Sequence, residues 1–369
     1  MAGTNRQFRL KARPAGPFED SDFELVRTPL PVPGDGEFLV KVTHLSIDPA
    51  MRGWMKAEHV SPVDVGAVMR AITIGQVVDS RHPGFTEGDF VHGTFGVQEF
   101  ALSDGTGVYK VHPEEGRSLA AYLGVLGMTG MTAYFGLLDV GRLAAGDVVL
   151  VSGAAGAVGS TAGQIARIKG AHVIGIAGGP EKTRMLVDRL GFSAAIDYKR
   201  DDFLDQLRDR TPRYVDVFFD NVGGDILNQA LTRLTRGARV VISGAISQYD
   251  NADAVVGPSN YLTLLYRSAS MAGVAVPAFA DRYPEAMAQM SHWLADGRLT
   301  SIEDTVHGDI ETFPVTLRRL FSGKNTGKLV LELEHQREPT PLSSGAPAPG
   351  LPGPPPSPVQ VRAEQPTSD

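Results

Sequence analysis

The chain of 369 residues contains no cysteine. Disulfides are therefore excluded, and so is every zinc site that needs even one thiolate ligand. The chain also lacks an apolar run near the roughly 20 residues of a membrane span, so we expect no integral membrane protein. Basic residues are fewer than acidic residues, which gives a net charge of −7. This charge disfavours a surface that binds the phosphates of a nucleic acid.

An apolar leader is missing as well, because residues 1–14 are polar and basic. This pattern predicts no secretory signal and favours a cytoplasmic location. Hydrophobic residues make up 42% of the chain and charged residues 21%, which is typical of a globular protein. The length predicts roughly two domains.

Small residues are concentrated between an apolar run, residues 148–151, and a segment with helical spacing, residues 160–169. The intervening residues 152–159 read SGAAGAVG. A strand, a small-residue turn and a helix predict a dinucleotide cradle, in which Gly156 and Gly159 let backbone amides approach a pyrophosphate. The usual G-x-G-x-x-G pattern begins here with Ala154, and tight packing alone would also account for the small residues.

Strand-like runs alternate with helix-like segments over the middle of the chain. The strand candidates are residues 148–152, 172–177, 194–198, 215–221, 239–243 and 271–276, and the helix candidates are residues 160–169, 181–190, 202–210, 225–234 and 259–268. Six strands alternating with helices predict a parallel, doubly wound sheet.

The first part of the chain is β-rich, with short strand-like runs separated by Pro, Gly and Asp clusters. The runs are residues 37–44, 71–79, 89–94 and 97–101. A helix is expected at residues 284–296, and residues 329–334 alternate like a strand that rejoins the β-rich part. Residues 337–369 are rich in Pro, Ser, Gly and Ala and predict a disordered tail, or a polyproline ligand for an SH3-like partner.

Five ordered blocks carry a family resemblance. They are residues 45–55 (LSIDPAMRGWM), 127–136 (GMTGMTAYFG), 220–224 (DNVGG), 243–249 (SGAISQY) and 323–328 (GKNTGK). The chain resembles the zinc-independent branch of the medium-chain dehydrogenase/reductases, specifically the NADP-dependent alkenal/enone double-bond reductases related to prostaglandin 13-reductase and the curcumin reductases. The resemblance covers about residues 8–333.

The resemblance implies an α/β fold, with a GroES-like β-rich catalytic domain wrapped around a doubly wound parallel Rossmann domain. We expect residues 1–126 to form the first part of the GroES-like domain and residues 127–298 the Rossmann domain. Residues 299–336 would return to complete the catalytic domain, before the tail at 337–369. The resemblance also implies a homodimer, with an active site in the cleft between the domains.

The second strand candidate ends without the carboxylate that usually holds the ribose of NAD. The resemblance implies NADP(H) instead, with the Lys182 ammonium and the Tyr198 phenol on its 2′-phosphate. A solvated helix position is the alternative for Lys182. Arg184 lies nearby without support from the family.

The resemblance implies further cofactor contacts and no metal ligand. The cofactor residues are Gly156, Ala157, Val158, Gly159, Asn221, Ser243, Gly244, Ala245, Ile246, Ser247, Gln248, Tyr249, Gly273, Val274, Ala275 and Asn325. Asn221 has an alternative role as a strand-end cap, because Asn commonly closes turns before Gly-Gly.

The implied reaction is reduction of the C=C bond of an α,β-unsaturated aldehyde or ketone, by hydride transfer to the β-carbon without zinc. Negative charge then grows on the carbonyl oxygen, and a donor must stabilise it. The family is thought to use the nicotinamide ribose 2′-hydroxyl, held by the residue that corresponds to Tyr249, which alternatively only packs on the cofactor. A quinone reductase and a non-catalytic NADPH-binding protein are the other functions left open.

Two positions in the first block bear on the small-molecule substrate. Many relatives have tyrosine where this chain has Ala50, so a larger or more open pocket is expected. Arg52 either binds an acidic group of the substrate or forms a structural ion pair.

Overall fold

The computed structural model describes residues 3–112, 117–250 and 255–334. Its strands are β1 (Thr4–Leu10), β2 (Phe23–Pro29), β3 (Phe38–Ser46), β4 (Thr73–Ser80), β5 (Phe90–Gly93), β6 (Phe100–Ser103), β7 (Tyr109–Val111), β8 (Val148–Val151), β9 (His172–Ala177), β10 (Ala194–Asp197), β11 (Val215–Asp220), β12 (Leu234–Ile242), β13 (Ser270–Gly273), β14 (Glu303–Gly308) and β15 (Lys328–Leu333). Its α-helices are α1 (Ala50–Trp54), α2 (Met128–Phe135), α3 (Ala157–Ile168), α4 (Pro180–Asp188), α5 (Phe203–Arg210), α6 (Gly224–Leu231), α7 (Leu262–Arg267), α8 (Tyr283–Ala295) and α9 (Phe313–Phe321).

The middle of the chain forms a six-stranded parallel sheet in the order β10-β9-β8-β11-β12-β13. This is the order of a doubly wound sheet, because the chain starts at β8, moves outwards in one direction and then returns to continue in the other. All four residues of β8 are buried, as expected for a central strand that is covered on both faces. The predicted Rossmann-type sheet is confirmed.

The remaining strands form a β-rich part that is mainly antiparallel. Strands β1 and β2 pair with each other, and a larger sheet has the order β14-β15-β3-β4-β5-β7, with β6 also paired to β3. The late strand β15 runs antiparallel to the early strand β3. The chain after the parallel sheet therefore returns to the β-rich part.

Aromatic side chains form much of the β-rich core. The Phe313 ring of α9 packs against Phe8 of β1 and Phe23 of β2, with centroid separations of 5.6 and 5.4 Å. Because α9 follows β14 in sequence, this contact also joins the returning segment to the start of the chain.

Several element boundaries differ from the sequence-based expectations. Strand β12 begins at Leu234 rather than 239, since Leu234 and Ala238 are buried on either side of the exposed Arg236-Gly237 pair. Strand β13 ends at Gly273 rather than 276, because Pro277 falls in a 3₁₀ turn that starts at Val276. The sequence-based assignment had also missed β1, β2, β7, β14, α1, α2 and α9.

The three sheets belong to one compact unit, so the cleft between the parallel sheet and the β-rich part is a feature of that unit. Within the described residues, no helix is both long and apolar enough to cross a membrane. The proposed domain limits at residues 126/127 and 298/299 fall between the strands of the two sheets, and we keep them as a proposal. The predicted tail at 337–369 lies outside the described residues.

Candidate active site

A cleft of about 630 Å³ lies where the carboxyl ends of the parallel strands meet the β-rich part. In doubly wound sheets, ligands bind at the carboxyl ends, where the strand order reverses. Here that reversal falls between β8 and β11, next to the start of α3. The residues that line the cleft come from the parallel-sheet part and from the β-rich part of the chain.

The start of α3 presents free backbone donors to this cleft. Gly156 is the N-cap and provides no side-chain cap, and the N–H groups of Val158 and Gly159 have no acceptor among the described residues. A Cβ on Gly159 would lie 2.4 Å from the carbonyl oxygen of Gly153, so only glycine fits there. Helix α3 begins at residue 157, three residues before the predicted start, and these amides suit an anionic group.

A basic corner lies at the ends of β9 and β10. Lys182, Tyr198 and Lys199 all line the cleft there. The Lys182 Nζ donates to the Gly323 carbonyl oxygen at 2.7 Å, and burial together with the neighbouring Lys199 ammonium lowers the pKa of Lys182. Two ammonium groups held close together favour a bound anion, because an anion relieves their repulsion.

The ends of β8 and β11 are joined by a buried polar network. The Ser152 hydroxyl donates to the Asp220 carboxylate at 2.6 Å, and the Asn221 Nδ2 donates to the Ser152 carbonyl oxygen at 2.7 Å. Backbone N–H groups of Val222 and Gly223 also donate to Asp220. Burial raises the pKa of Asp220, and these donors oppose that rise. Asn221 thus caps strand ends while it lines the cleft.

Tyr249 lines the cleft from the loop after β12. Its hydroxyl oxygen accepts the Ala245 N–H at 3.2 Å. A Cβ on Gly244 would approach that oxygen to 3.2 Å, so the glycine lets the ring lie close to the loop backbone. Because the oxygen accepts from Ala245, and no described group accepts from the hydroxyl, its proton is available to a ligand.

The returning segment closes the cleft beside the dinucleotide turn. The Gly327 N–H donates to the Ala155 carbonyl oxygen at 2.7 Å, and the buried Asn325 donates from Nδ2 to the Gly327 carbonyl oxygen at 3.1 Å. Gly327 has φ +71°, and a Cβ there would lie 2.1 Å from the Ile302 carbonyl oxygen. A glycine is therefore required for this close approach.

The β-rich wall of the cleft runs from Ile47 to Ala50. Behind it, the buried Arg52 of α1 pairs with Asp250, with its Nε 3.3 Å from the carboxylate oxygen. Arg52 also donates to the Gly16 carbonyl oxygen at 2.6 Å and does not line the cleft. Of the two roles considered for Arg52, the structure shows the ion pair.

The structure brings most of the predicted cofactor residues together. Those that line the cleft are Gly156, Ala157, Val158, Gly159, Lys182, Tyr198, Asn221, Ser243, Gly244, Ile246, Ser247, Tyr249 and Asn325. Those that do not line it are Ala245, Gln248, Gly273, Val274 and Ala275. The cofactor contacts of both sets stay predictions. Sequence reasoning missed Lys199, Asp48 and Lys328 as cleft residues, although the last two lie within the recognised blocks.

The described residues contain no cluster of three or more His, Asp or Glu side chains arranged to hold a metal ion. The buried charges in the cleft wall form an ion pair instead. Lys328 Nζ lies 2.6 Å from Asp48 Oδ1 and also donates to the Ile47 carbonyl oxygen at 3.2 Å.

Comparison with known proteins identifies the family. Residues 6–111 match the model of an N-terminal domain of oxidoreductase, and residues 157–292 match that of a zinc-binding dehydrogenase. The chain is 36% identical over 338 residues to the NADPH-dependent curcumin reductase of Escherichia coli, covering 89% of this chain and 97% of the relative. The chain belongs to the medium-chain dehydrogenase/reductase family. The predicted resemblance and two-domain fold are thereby confirmed.

Two further relatives support the same assignment. The NADP(+)-dependent 2-alkenal reductase of Nicotiana tabacum is 34% identical over 341 residues, which cover 90% of this chain and 98% of that protein. The crystal structure of CurA from Vibrio vulnificus in complex with NADPH matches with a TM-score of 0.85 and 38% identity, over 89% of this chain and 99% of that one. A match to a zinc-binding dehydrogenase model does not carry a cysteine-ligated zinc to this chain, which has no cysteine.

Proposed function

We propose that the chain is an NADPH-dependent reductase of the C=C bond of α,β-unsaturated aldehydes and ketones. The observation that carries this proposal is one continuous cleft, lined by the free amides of α3, the basic corner at Lys182 and the Tyr249 phenol. The names of the curcumin and 2-alkenal reductases among its relatives support the same chemistry.

NADPH fits the order of these groups along the sheet. The loops after β9 and β10 lie on one side of the α3 N-terminus, and those after β11 and β12 lie on the other. Lys182, Lys199 and Tyr198 would hold the 2′-phosphate, and the α3 amides the pyrophosphate. Asn221, the loop at residues 243–249 and Asn325 would then hold the nicotinamide half.

NADPH, when bound, would supply the hydride that adds to the β-carbon of the substrate, and a proton from water would complete the reduction at the α-carbon. Tyr249 would stabilise the negative charge that develops on the carbonyl oxygen. It would do so by a hydrogen bond, either directly or through a hydroxyl of the ribose. Its oxygen already accepts the Ala245 N–H, so its own proton is oriented away from the loop. A phenol hydroxyl can accept and donate a hydrogen bond at the same time, so Tyr249 can donate to the substrate or the ribose while it accepts from Ala245. The wall from Ile47 to Ala50 bounds one side of the cleft.

The proposal is tested by NADPH consumption with a panel of 2-alkenals, enones and quinones. We expect reduction of the C=C bond, identified by mass and NMR of the product. Quinone turnover that far exceeds alkenal turnover would support the quinone reductase alternative. Cofactor binding without consumption of any substrate in the panel would support the non-catalytic alternative.

We also propose the homodimer that the family resemblance implies. Apolar side chains of α7 are exposed, with Leu265 70% and Tyr266 75% accessible. Next to α7, the edge strand β13 pairs only with β12 within the described chain. Two copies that join at this edge would cover both features. Light scattering should give a dimer mass, and Leu265→Glu should lower the measured mass.

The cytoplasmic location stays a prediction.

A further inference from the structure

A fully buried carboxylate, that of Asp220, lies where β11 ends, and the chemistry proposed above does not use it. It accepts the Ser152 hydroxyl at 2.6 Å and the backbone N–H groups of Val222 and Gly223 at 3.0 and 3.1 Å. Within the described residues no charged side chain is paired with it. Because a buried charge without a counter-ion is costly unless donors surround it, these three donors are what stabilise the carboxylate.

The same donors shape a tight turn, residues 220–223. Two successive N–H groups of the turn point at one carboxylate, and Gly223 has φ +71°, a conformation that favours glycine. A Cβ on Gly223 would lie 3.2 Å from the Cβ of Ala245, and a Cβ on Gly224 would lie 3.0 Å from the Ser247 hydroxyl oxygen. The turn therefore packs directly against the loop that follows β12.

Three successive backbone carbonyl oxygens of this turn, those of residues 220–222, hold that loop. Their donors are the N–H groups of Ser243, Ile246 and Ser247, at 2.8, 3.2 and 3.2 Å. Tyr249 directly follows the 3₁₀ turn that contains Ile246 and Ser247. The position of the Tyr249 ring in the cleft therefore depends on the turn after β11.

We propose that Asp220 is a positioning residue: its carboxylate shapes the turn at residues 220–223, and the turn holds the loop that places the Tyr249 hydroxyl in the cleft. This inference rests on the proposed function, in which that hydroxyl donates to the developing charge. Asp220 does not line the cleft itself and acts on the reaction only through the loop. A displacement of about 1 Å at a catalytic group can lower turnover by about 100-fold, so such an indirect effect is measurable.

Asp220→Asn keeps the size of the side chain but offers one acceptor oxygen instead of two, so one of the present donors then faces an N–H group. We expect kcat for an enone to fall by about tenfold or more. Asp216→Asn is the matched control, because Asp216 of the same strand accepts the Val148 N–H at 2.9 Å. That bond also joins β11 to β8, but at the amino ends of the strands. The control should keep kcat within about twofold of the wild type.

A double-mutant cycle with Tyr249→Phe shows whether Asp220 acts through that hydroxyl. The double variant of Asp220→Asn and Tyr249→Phe should have a kcat within about twofold of Tyr249→Phe alone, since the hydroxyl to be positioned is already absent. Two reductions that multiply would overturn the inference, because Asp220 would then act by another route. A wild-type protein that reduces no enone would instead overturn the proposed function.

Hydrogen exchange of the protein without cofactor or substrate tests the positioning independently of activity. In Asp220→Asn the amides of residues 243–249 should lose at least about fivefold in protection, while those of β9 keep theirs. Ser152→Ala removes one donor to the carboxylate and should act in the same direction, which keeps the test open if Asp220→Asn does not fold. Unchanged protection of residues 243–249, or an equal loss across the whole parallel sheet, would overturn the inference.

Discussion

Lys328 of β15 and Asp48, just after β3, form an ion pair of 2.6 Å in which both side chains are at most 3% exposed. The pair joins two strands that are 280 residues apart in the chain. Since Lys328 also bonds to the Ile47 carbonyl oxygen, it fixes the segment that forms the β-rich wall of the cleft. Loss of one partner would leave the other charge buried and unpaired.

Lys328→Met should therefore lower the free energy of unfolding by about 3–5 kcal/mol, measured by urea denaturation. The double variant with Asp48→Asn should lose less, because it removes both charges. Lys324→Met, exposed on the same returning segment, is the control and should be close to neutral. Equal losses in the single and double variants would show that the buried charge is not the cause.

Tyr249→Phe should lower kcat for an enone by more than about tenfold, because it removes the hydroxyl that donates to the developing charge. NADPH affinity, measured by fluorescence titration, should change little, since the ring still packs in the loop. Tyr214→Phe, at the amino end of β11 and away from the cleft, is the control. Unchanged turnover would remove Tyr249 from the mechanism and leave it as a packing residue.

Lys182→Ala should raise the KM for NADPH by about 10- to 100-fold, the effect of one charge-assisted hydrogen bond to a phosphate. The KM for NADH should stay nearly constant, because NADH lacks the 2′-phosphate. We expect Lys199→Ala also to raise the KM for NADPH and to leave the KM for NADH nearly constant. The exposed Arg184 lies on the same helix as Lys182, and Arg184→Ala serves as the control. A preserved preference for NADPH in both lysine variants would refute the assignment of the basic corner.

The parallel sheet could be predicted from sequence because its signals are local. Each strand is a short apolar run, and each crossover helix has its own periodicity between turn residues. The β-rich part was predicted only in outline. Strand β1 is paired along its whole length with β2, and no local pattern indicates which distant segment such a strand will join.

In the candidate site, too, the residues with a local sequence signal were predicted and those that depend on distant segments were not. Gly156 and Gly159 were found from a local pattern, and Lys182 and Tyr198 from the family resemblance. Lys199 was missed because a lysine after a strand is usually solvated, and only the three-dimensional arrangement brings it near Lys182. The partners of Arg52 and Lys328 were beyond sequence reasoning, because each lies about 200 to 280 residues away in the chain.

His92 of β5 is half-buried, with both ring nitrogens buried and its ring stacked on Tyr109 at a centroid separation of 4.5 Å. Neither ring nitrogen has a partner among the described residues, and burial lowers the pKa of His92 to about 4. An imidazole in the unfolded chain has a pKa near 6.5, so the unfolded state takes up the proton first as the pH falls. The neutral, stacked histidine is therefore fully stabilising above about pH 6.5.

Stability should fall between about pH 6.5 and 4 by about 3 kcal/mol from His92 alone, which corresponds to the shift in its pKa. His92→Phe keeps an aromatic ring against Tyr109 and removes the titration. Its melting temperature should therefore depend less on pH across this window than that of the wild type. His172→Gln, at an exposed position of β9, is the control. Parallel pH profiles for wild type and His92→Phe would show that the buried imidazole takes up its proton without unfolding the chain, through a local opening between β5 and β7.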